Sequence, residues 1–256
     1  MQNNIFSGLF VGQNLVTLKE VDSTNTFLKN ILSNSKPLPE GTVIMAEDQY
    51  AGRGQQQNRW FTEAGKNLTF SILLKPIFLP LNDQFYLTQA ISLGVAKALA
   101  HVTGPGIKIK WPNDIYYNNR KLGGILIENM VQGTKINNSV IGIGLNINQQ
   151  QFPDYLPKAT SIRQILHTDY DLKALLSEIC KSIEAYYLQL RAGKTSDLNQ
   201  DYLSCLFGIN ETRNFKSNGT LFEGIITGVT SLGLLKIKTG ETEREYNLKE
   251  VEFLIN

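Results

Sequence analysis

The sequence predicts an α+β fold, in which a mixed β-sheet domain with flanking helices is followed by a small all-β domain. Three observations predict it. Amphipathic helical patterns alternate with short apolar strand patterns as far as about residue 206. Beyond that point only short β-type runs occur, separated by glycine and asparagine turns. The hydrophobic content of 42% suffices for a sizeable core in a chain of 256 residues. We therefore expect domains at residues 1–206 and 207–256.

The first half of the chain is predicted to contain two helices and two strands. The stretch VDSTNTFLKNILSN indicates a helix, because Asp22 or Ser23 can cap its N-terminus and an apolar stripe follows at helical spacing. Strands are expected in TVIMAE and in NLTFSILLKP, the second ending at Pro76. Residues 82–101 then have a helical pattern that ends before Gly104.

The second half is predicted to be richer in strands. The stretch IKIKWPNDIYYNNRKLGGILIEN indicates three strands, joined by a tight bend and by a turn at Asn118–Asn119. SVIGIGLNIN adds one more strand. Apolar residues from Leu172 to Leu190 mark a long amphipathic helix that ends at Gly193. The runs TLFEGIITGV, LGLLKIKT and EREYNL then predict the small β-barrel.

Charge and targeting patterns narrow the class of protein. Lys and Arg total 25 against 23 Asp and Glu, and this near-neutral balance argues against nucleic acid as the main partner. The first ten residues lack a secretory signal pattern, and no apolar run is long enough to span a bilayer. The two cysteines and two histidines do not have the spacing of a zinc site. We therefore expect a cytoplasmic protein with no membrane partner.

One group of polar residues follows a predicted strand end. In IKIKWPND the apolar residues alternate with lysines, so Lys110 should point away from the core. Pro112 ends the strand, and Asn113 and Asp114 follow at once. Lysine offers a point charge to phosphate, and carboxylate or amide oxygens suit Mg²⁺, so the segment favours a nucleoside triphosphate with a divalent metal. The alternative is a surface hairpin with solvated lysines.

A second group lies on the glycine-hinged segment QYAGRGQQQNRW, residues 49–60. Its glycines permit unusual backbone angles, and Arg53 between them can present a planar fork to a carboxylate or phosphate. Farther along the chain, Lys121 precedes Gly124, which allows a ligand to approach the backbone closely. The alternative is a flexible loop that Trp60 anchors in the core.

Five segments, in order along the chain, together resemble biotin protein ligases. They are STN at 23–25, QYAGRG…RW at 49–60, KWPND at 110–114, RKLGGILIE at 120–128 and GIGLN at 142–146. The β-rich tail is similar to the SH3-like C-terminal domain of that family. The resemblance implies that the biotin carboxylate attacks the α-phosphate of ATP, giving biotinyl-5′-adenylate and pyrophosphate. The adenylate then acylates one lysine of a biotin carboxyl carrier domain.

The resemblance also implies roles for individual residues. The biotin site would comprise Ser23, Thr24, Asn25, Gln49, Gly52, Arg53, Lys121, Gly124, Ile125, Gly142 and Leu145. The ATP site would comprise Arg53, Gln55, Trp60, Lys110, Asn113, Asp114, Lys121 and Asn146, with Asp114 as the Mg²⁺ ligand. Arg53, Lys110 and Lys121 would be catalytic, because both nucleophiles arrive on substrates and the enzyme supplies positioning and charge.

The implied partners are biotin, ATP and a carrier protein, bound by a monomer or a homodimer. Some family members repress genes through an N-terminal helix-turn-helix, but this chain reaches EVDSTN by residue 20, so no DNA partner is expected. The family loop often reads GRGRxGRxW, whereas Gln55, Gln57 and Asn58 stand here in place of further arginines and a glycine. Two alternatives remain: a lipoate or octanoate ligase or transferase of similar fold, and a non-catalytic biotin-binding protein.

Overall fold

The computed structural model describes residues 6–34, 37–54 and 58–255. Strands and helices follow one another within these ranges as β1 (Leu15–Val21), α1 (Thr24–Asn34), β2 (Val43–Gln49), β3 (Leu68–Leu74), α2 (Gln84–Thr103), β4 (Ile107–Lys110), β5 (Asp114–Tyr117), β6 (Arg120–Gln132), β7 (Lys135–Leu145), α3 (Ile162–Leu166), α4 (Leu172–Arg191), α5 (Thr195–Cys205), β8 (Thr212–Ser217), β9 (Thr220–Val229), β10 (Leu235–Thr239), β11 (Thr242–Tyr246) and β12 (Glu252–Phe253).

The first seven strands form one mixed sheet in the order β1-β2-β3-β7-β6-β5-β4. Strands β1 and β2 are parallel, and the other neighbours are antiparallel. All seven residues of β3 are buried, because helices cover both faces of the sheet there. On one face Leu28 of α1 packs against Ile44, Leu73 and Val140. The opposite face packs against α2 and α4 in the main core.

The last five strands form a separate antiparallel sheet in the order β11-β10-β9-β8-β12. Its core contains Phe215, whose ring centroid lies 5.5 Å from that of Phe222 and 5.3 Å from that of Phe253. A mixed sheet with helices plus a second antiparallel sheet confirms the predicted fold class.

The second sheet packs against the KWPND segment of the first. The amide of Phe207, in the segment that joins α5 to β8, donates to the carbonyl of Ile109 on β4 at 2.9 Å. The Trp111 indole N–H donates to the carbonyl of Gly233, in the turn between β9 and β10, at 3.0 Å. These contacts fix the position of β4 and β5 relative to the C-terminal strands.

The predicted helices and strands are confirmed, and five further elements of the described residues lie outside the sequence predictions: β1, α3, α5, β8 and β12. Strand β1 is an edge strand in which Val21 is the one buried residue, so its sequence lacks a regular apolar alternation. Helix α5 buries only Leu198 and Tyr202, which is too few for a clear helical stripe. Helix α3 spans only five residues and is capped by Ser161.

Candidate functional site

A cavity of about 150 Å³ lies on the α1 face of the mixed sheet. Residues from all five motifs line it, although the motifs are far apart along the chain. These are Ser23, Thr24, Asn25, Gln49, Arg53, Trp60, Asp114, Lys121, Gly124, Ile125 and Gly142. The structure therefore brings most of the predicted site residues together in one place.

Strand register explains why this face carries the cavity. Side chains alternate along a strand, so Ser71 shares a face with Leu73, and Gly142 shares a face with Val140. Leu73 and Val140 pack against α1. Farther along the same two strands the face changes to small or polar residues, which leaves space beyond the N-terminus of the helix.

The inner wall of the cavity is polar, uncharged and buried. Ser23, Thr24 and Asn25 are each 3% exposed at the start of α1. The Thr24 amide donates to Gln49 Oε1 at 2.9 Å. The Ser71 hydroxyl donates to Asn25 Oδ1 at 2.6 Å and lies 2.7 Å from Thr24 Oγ1. Such a wall can recognise the polar edge of a neutral ring, because its donors and acceptors are already fixed.

Two glycines of β7 let other residues approach the sheet closely. A Cβ at Gly142 would lie 2.5 Å from Asn25 Oδ1, and a Cβ at Gly144 would lie 2.5 Å from the Trp60 ring. Trp60 Nε1 is buried and has no hydrogen-bond partner among the residues described. Both positions therefore require glycine for the observed packing.

The other end of the cavity is cationic. Arg53 Nη2 lies 2.8 Å from Glu128 Oε1, and Lys121 Nζ lies 2.7 Å from Asp114 Oδ1. Lys29 also binds Glu128 Oε1, at 2.6 Å. Burial opposes ionisation of Glu128, but hydrogen bonds from Lys29, Asn25 and Arg53 outweigh it and lower the pKa of the carboxyl. The carboxylates keep these cations in place beside the cavity.

Lys110 lies in a neighbouring cleft of about 640 Å³ rather than in the cavity itself. The register aligns it with Asp114 on β5, which in turn aligns with Gly124. Its Nζ lies 4.7 Å from the centroid of the Phe253 ring and 5.8 Å from that of Tyr116. Burial lowers the pKa of Lys110, and Lys121 adds to the effect, whereas Asp114 and Glu252 oppose it.

Lys110→Met is expected to raise the free energy of unfolding near neutral pH, because folding removes the Lys110 ammonium from water. The pKa of Lys110 is lowered in the folded state, so between that lower value and 10.5 the unfolded chain binds the extra proton. The unsubstituted protein therefore becomes more stable as the pH rises through this window. The difference in the free energy of unfolding between it and Lys110→Met should therefore shrink. Denaturant unfolding at several pH values measures this, with Lys108→Met as the matched control. A difference that stays constant up to pH 10.5 would contradict the expectation.

The other predicted site residues that the structure describes do not line the cavity, and they either pack next to it or lie elsewhere. Asn113 Nδ2 donates to the Ile125 carbonyl at 2.7 Å, and Asn146 Nδ2 donates to the Thr160 carbonyl at 3.0 Å. Gly52 lies against the Trp60 backbone, because a Cβ added at Gly52 would lie 2.5 Å from the Trp60 carbonyl oxygen. Leu145 points into the main core, because it follows Gly144 and side chains alternate. Gln55 and Gln57 lie outside the described residues.

Several residues at or beside the cavity were not singled out from the sequence. They are Lys29, Arg59, Thr69, Ser71 and Glu128. A signal existed for two of them. Lys29 follows Asn25 by one helical turn, and Glu128 follows Gly124 by two alternations on β6, so each shares a face with a predicted residue.

Comparison with known proteins agrees with this grouping. Residues 17–146 match the model of the biotin/lipoate A/B protein ligase family. The bifunctional ligase/repressor BirA of Bacillus subtilis is 29% identical over 245 residues, which is 94% of this chain and 74% of the relative. The biotin–[acetyl-CoA-carboxylase] ligase of Mycobacterium tuberculosis is 31% identical over 156 residues, covering 59% of this chain and 56% of that protein.

A solved structure also matches over almost the whole chain. The biotin protein ligase of Aquifex aeolicus in complex with biotin and ATP superposes with a TM-score of 0.80 and 27% identity. The match covers 95% of this chain and 100% of that one.

The described ranges contain neither a metal-binding cluster of side chains nor a membrane-spanning helix. There, no three His, Cys, Asp or Glu residues lie together so that they could hold a metal ion. Among the helices described, none combines the length and the apolar character that crossing a membrane requires.

Proposed function

The chain belongs to the biotin/lipoate A/B protein ligase family, and we propose that it is a biotin–protein ligase, which activates biotin with ATP and transfers it to a lysine of a carrier protein. One observation carries this proposal: five separated motifs converge on one cavity with a neutral polar wall at one end and cations at the other. Biotin has that polarity, with a polar uncharged ring and a terminal carboxylate.

Within the cavity, the biotin ring would contact Ser23, Thr24 and Gln49. The carboxylate would extend towards Arg53 and Lys121, since a planar guanidinium and an ammonium both bind carboxylate or phosphate. Gly142 and the Trp60 ring would form the apolar wall alongside.

Activation requires the biotin carboxylate oxygen to attack the α-phosphorus of ATP, while the bond to pyrophosphate breaks. Negative charge on the phosphoryl oxygens then needs stabilisation, which Arg53 and Lys121 can supply without a nucleophile from the protein. Lys110, in the adjoining cleft, would approach the nucleotide phosphates from the other side. The chain provides orientation and charge, and each substrate provides its own nucleophile.

The residues near Asp114 fit a Mg²⁺ ion that arrives with ATP. Mg²⁺ in nucleotide sites uses one or two carboxylates and keeps water and phosphate ligands. Asp114, which lines the cavity, would supply one carboxylate. Asn146 Oδ1, a buried acceptor without a hydrogen-bond partner in the described part of the chain, is a second oxygen among the residues of the predicted ATP site. Bound there, the ion would neutralise phosphate charge.

In this proposal residues 1–206 form the catalytic domain and residues 207–256 a second domain. The partner is a biotin carboxyl carrier domain, whose target lysine attacks the adenylate carbonyl and releases AMP. A monomer or homodimer, the absence of a DNA partner and a cytoplasmic location stay predictions, open to sedimentation, DNA-binding and fractionation measurements.

Incubation of the protein with biotin, ATP, Mg²⁺ and a carrier domain tests the function directly. We expect intact mass spectrometry to show one added biotinyl group on the carrier, and none when ATP is omitted. Thermal unfolding with biotin or lipoate gives the matched comparison, because a tight ligand raises the melting temperature. Stabilisation by lipoate alone, with no biotinylated carrier, would favour the lipoate alternative instead.

A further inference from the structure

Glu128 is the last residue of the motif RKLGGILIE, and it takes no part in the proposed reaction steps. Its side chain is 21% exposed and lies beside the cationic end of the cavity. Oε1 accepts hydrogen bonds from Lys29 Nζ at 2.6 Å and from Arg53 Nη2 at 2.8 Å, and Oε2 accepts one from Asn25 Nδ2 at 2.8 Å. One carboxylate therefore joins α1, the loop that carries Arg53, and β6.

On the basis of the proposed function, we propose that Glu128 is a positioning residue for the activation step. It holds the Arg53 guanidinium in the orientation that meets the reacting carboxylate and phosphate. Arg53 needs such a support. It stands between two glycines, its side chain is 43% exposed, and a free arginine side chain samples many rotamers. Catalysis by charge depends on groups that are already oriented when the charge develops.

The contacts of Arg53 leave room for a ligand. Nη1 donates to Thr26 Oγ1 at 3.2 Å, and Nη2 donates to Glu128 Oε1 at 2.8 Å. These two bonds use two of the guanidinium N–H groups, and a guanidinium carries more than two. The remaining donors can therefore bind an anion while Glu128 and Thr26 hold the group in place.

The orientation of Glu128 is itself fixed from the inner wall. Asn25 donates to Oε2, and the Oδ1 atom of Asn25 accepts from the buried Ser71 hydroxyl. Ser71 contacts Thr24, and Thr24 contacts Gln49. A continuous series of side-chain hydrogen bonds thus links the wall that would bind the biotin ring to the arginine that would bind its carboxylate.

A purely structural role for Glu128 is the competing explanation, because the Lys29 ion pair also ties α1 to β6. The two roles differ in one measurable respect. If Glu128 acts through Arg53, its removal matters only while Arg53 is present. If it merely stabilises the fold, its removal costs the same with or without Arg53.

A double-mutant cycle separates the two roles. Glu128→Gln keeps the size of the side chain and an acceptor for Asn25, but it removes the charge that holds Arg53. We expect it to lower the kcat of biotin-dependent ATP–pyrophosphate exchange by about 10–100-fold in the unsubstituted chain. In the Arg53→Ala background we expect it to change kcat by less than about 2-fold. Single-turnover adenylate formation with enzyme in excess keeps the slower variants measurable.

Two further variants provide a control and an independent test. Glu223→Gln makes the same change at an exposed position on β9 and should leave kcat unchanged. Thr26→Val removes the other hydrogen bond of Arg53 without altering charge. Its effect on kcat should likewise disappear in the Arg53→Ala background. This variant keeps the proposal testable even if Glu128→Gln does not fold. Equal losses in both backgrounds for the folded variants would overturn the positioning role alone. No biotin-dependent exchange by the unsubstituted protein would overturn the proposed function, and the positioning role with it.

Discussion

Arg53→Ala and Lys121→Ala are each expected to slow biotin-dependent ATP–pyrophosphate exchange by about 10²–10³-fold, the cost of removing one preorganised group at a developing charge. Ser23→Ala should slow it by less than about 10-fold, because one neutral hydrogen bond contributes only about 1 kcal/mol. Arg53 and Lys121 each lie against one carboxylate beside the same cavity, which keeps them oriented before substrates bind. Initial rates of exchange at saturating biotin and ATP measure the difference.

The controls for this prediction come from the second sheet. Arg244→Ala and Lys238→Ala remove the same charges at exposed positions on β11 and β10, and they should leave exchange unchanged. If Arg53→Ala, Lys121→Ala and Ser23→Ala all gave similar rates, the cationic end of the cavity would not be the reacting end.

Gly142→Ala is expected to weaken biotin binding by about 10–100-fold and to lower the free energy of unfolding. The new methyl group would lie 2.5 Å from Asn25 Oδ1, so Asn25 must move and its contacts with Ser71 and Glu128 must break. In the complex, the displaced Asn25 wall would lose two or so hydrogen bonds to biotin, at about 1 kcal/mol each, and this gives the range for the affinity. Isothermal titration with biotin measures the dissociation constant.

Gly228→Ala is the matched control, since a Cβ there would have only the Lys236 side chain nearby, at 3.9 Å. We expect Gly228→Ala to bind biotin like the unsubstituted protein. Unchanged biotin affinity in Gly142→Ala would mean that Asn25 is not part of the biotin site.

Local patterns in the sequence predicted much of this molecule. The alternation in IKIKW places Ile107, Ile109 and Trp111 in the core, as observed. The change of composition near residue 206 coincides with the second sheet, which begins at Thr212. Five motifs identified the family and most of the residues that line the cavity, because each motif is short and is recognised from neighbouring residues alone.

Only the tertiary structure decided which of these residues meet. Glu128 contacts Arg53 because β6 pairs with β7 in one register, which places Glu128 opposite Val140 on the face that α1 covers. The same register turns Gly142 towards the cavity and Leu145 into the core. Lys110 lies in a separate cleft because the second sheet packs against it through Phe253. Periodicity along a chain records which side of an element is buried, whereas the contact between two distant side chains depends on how whole elements pack together.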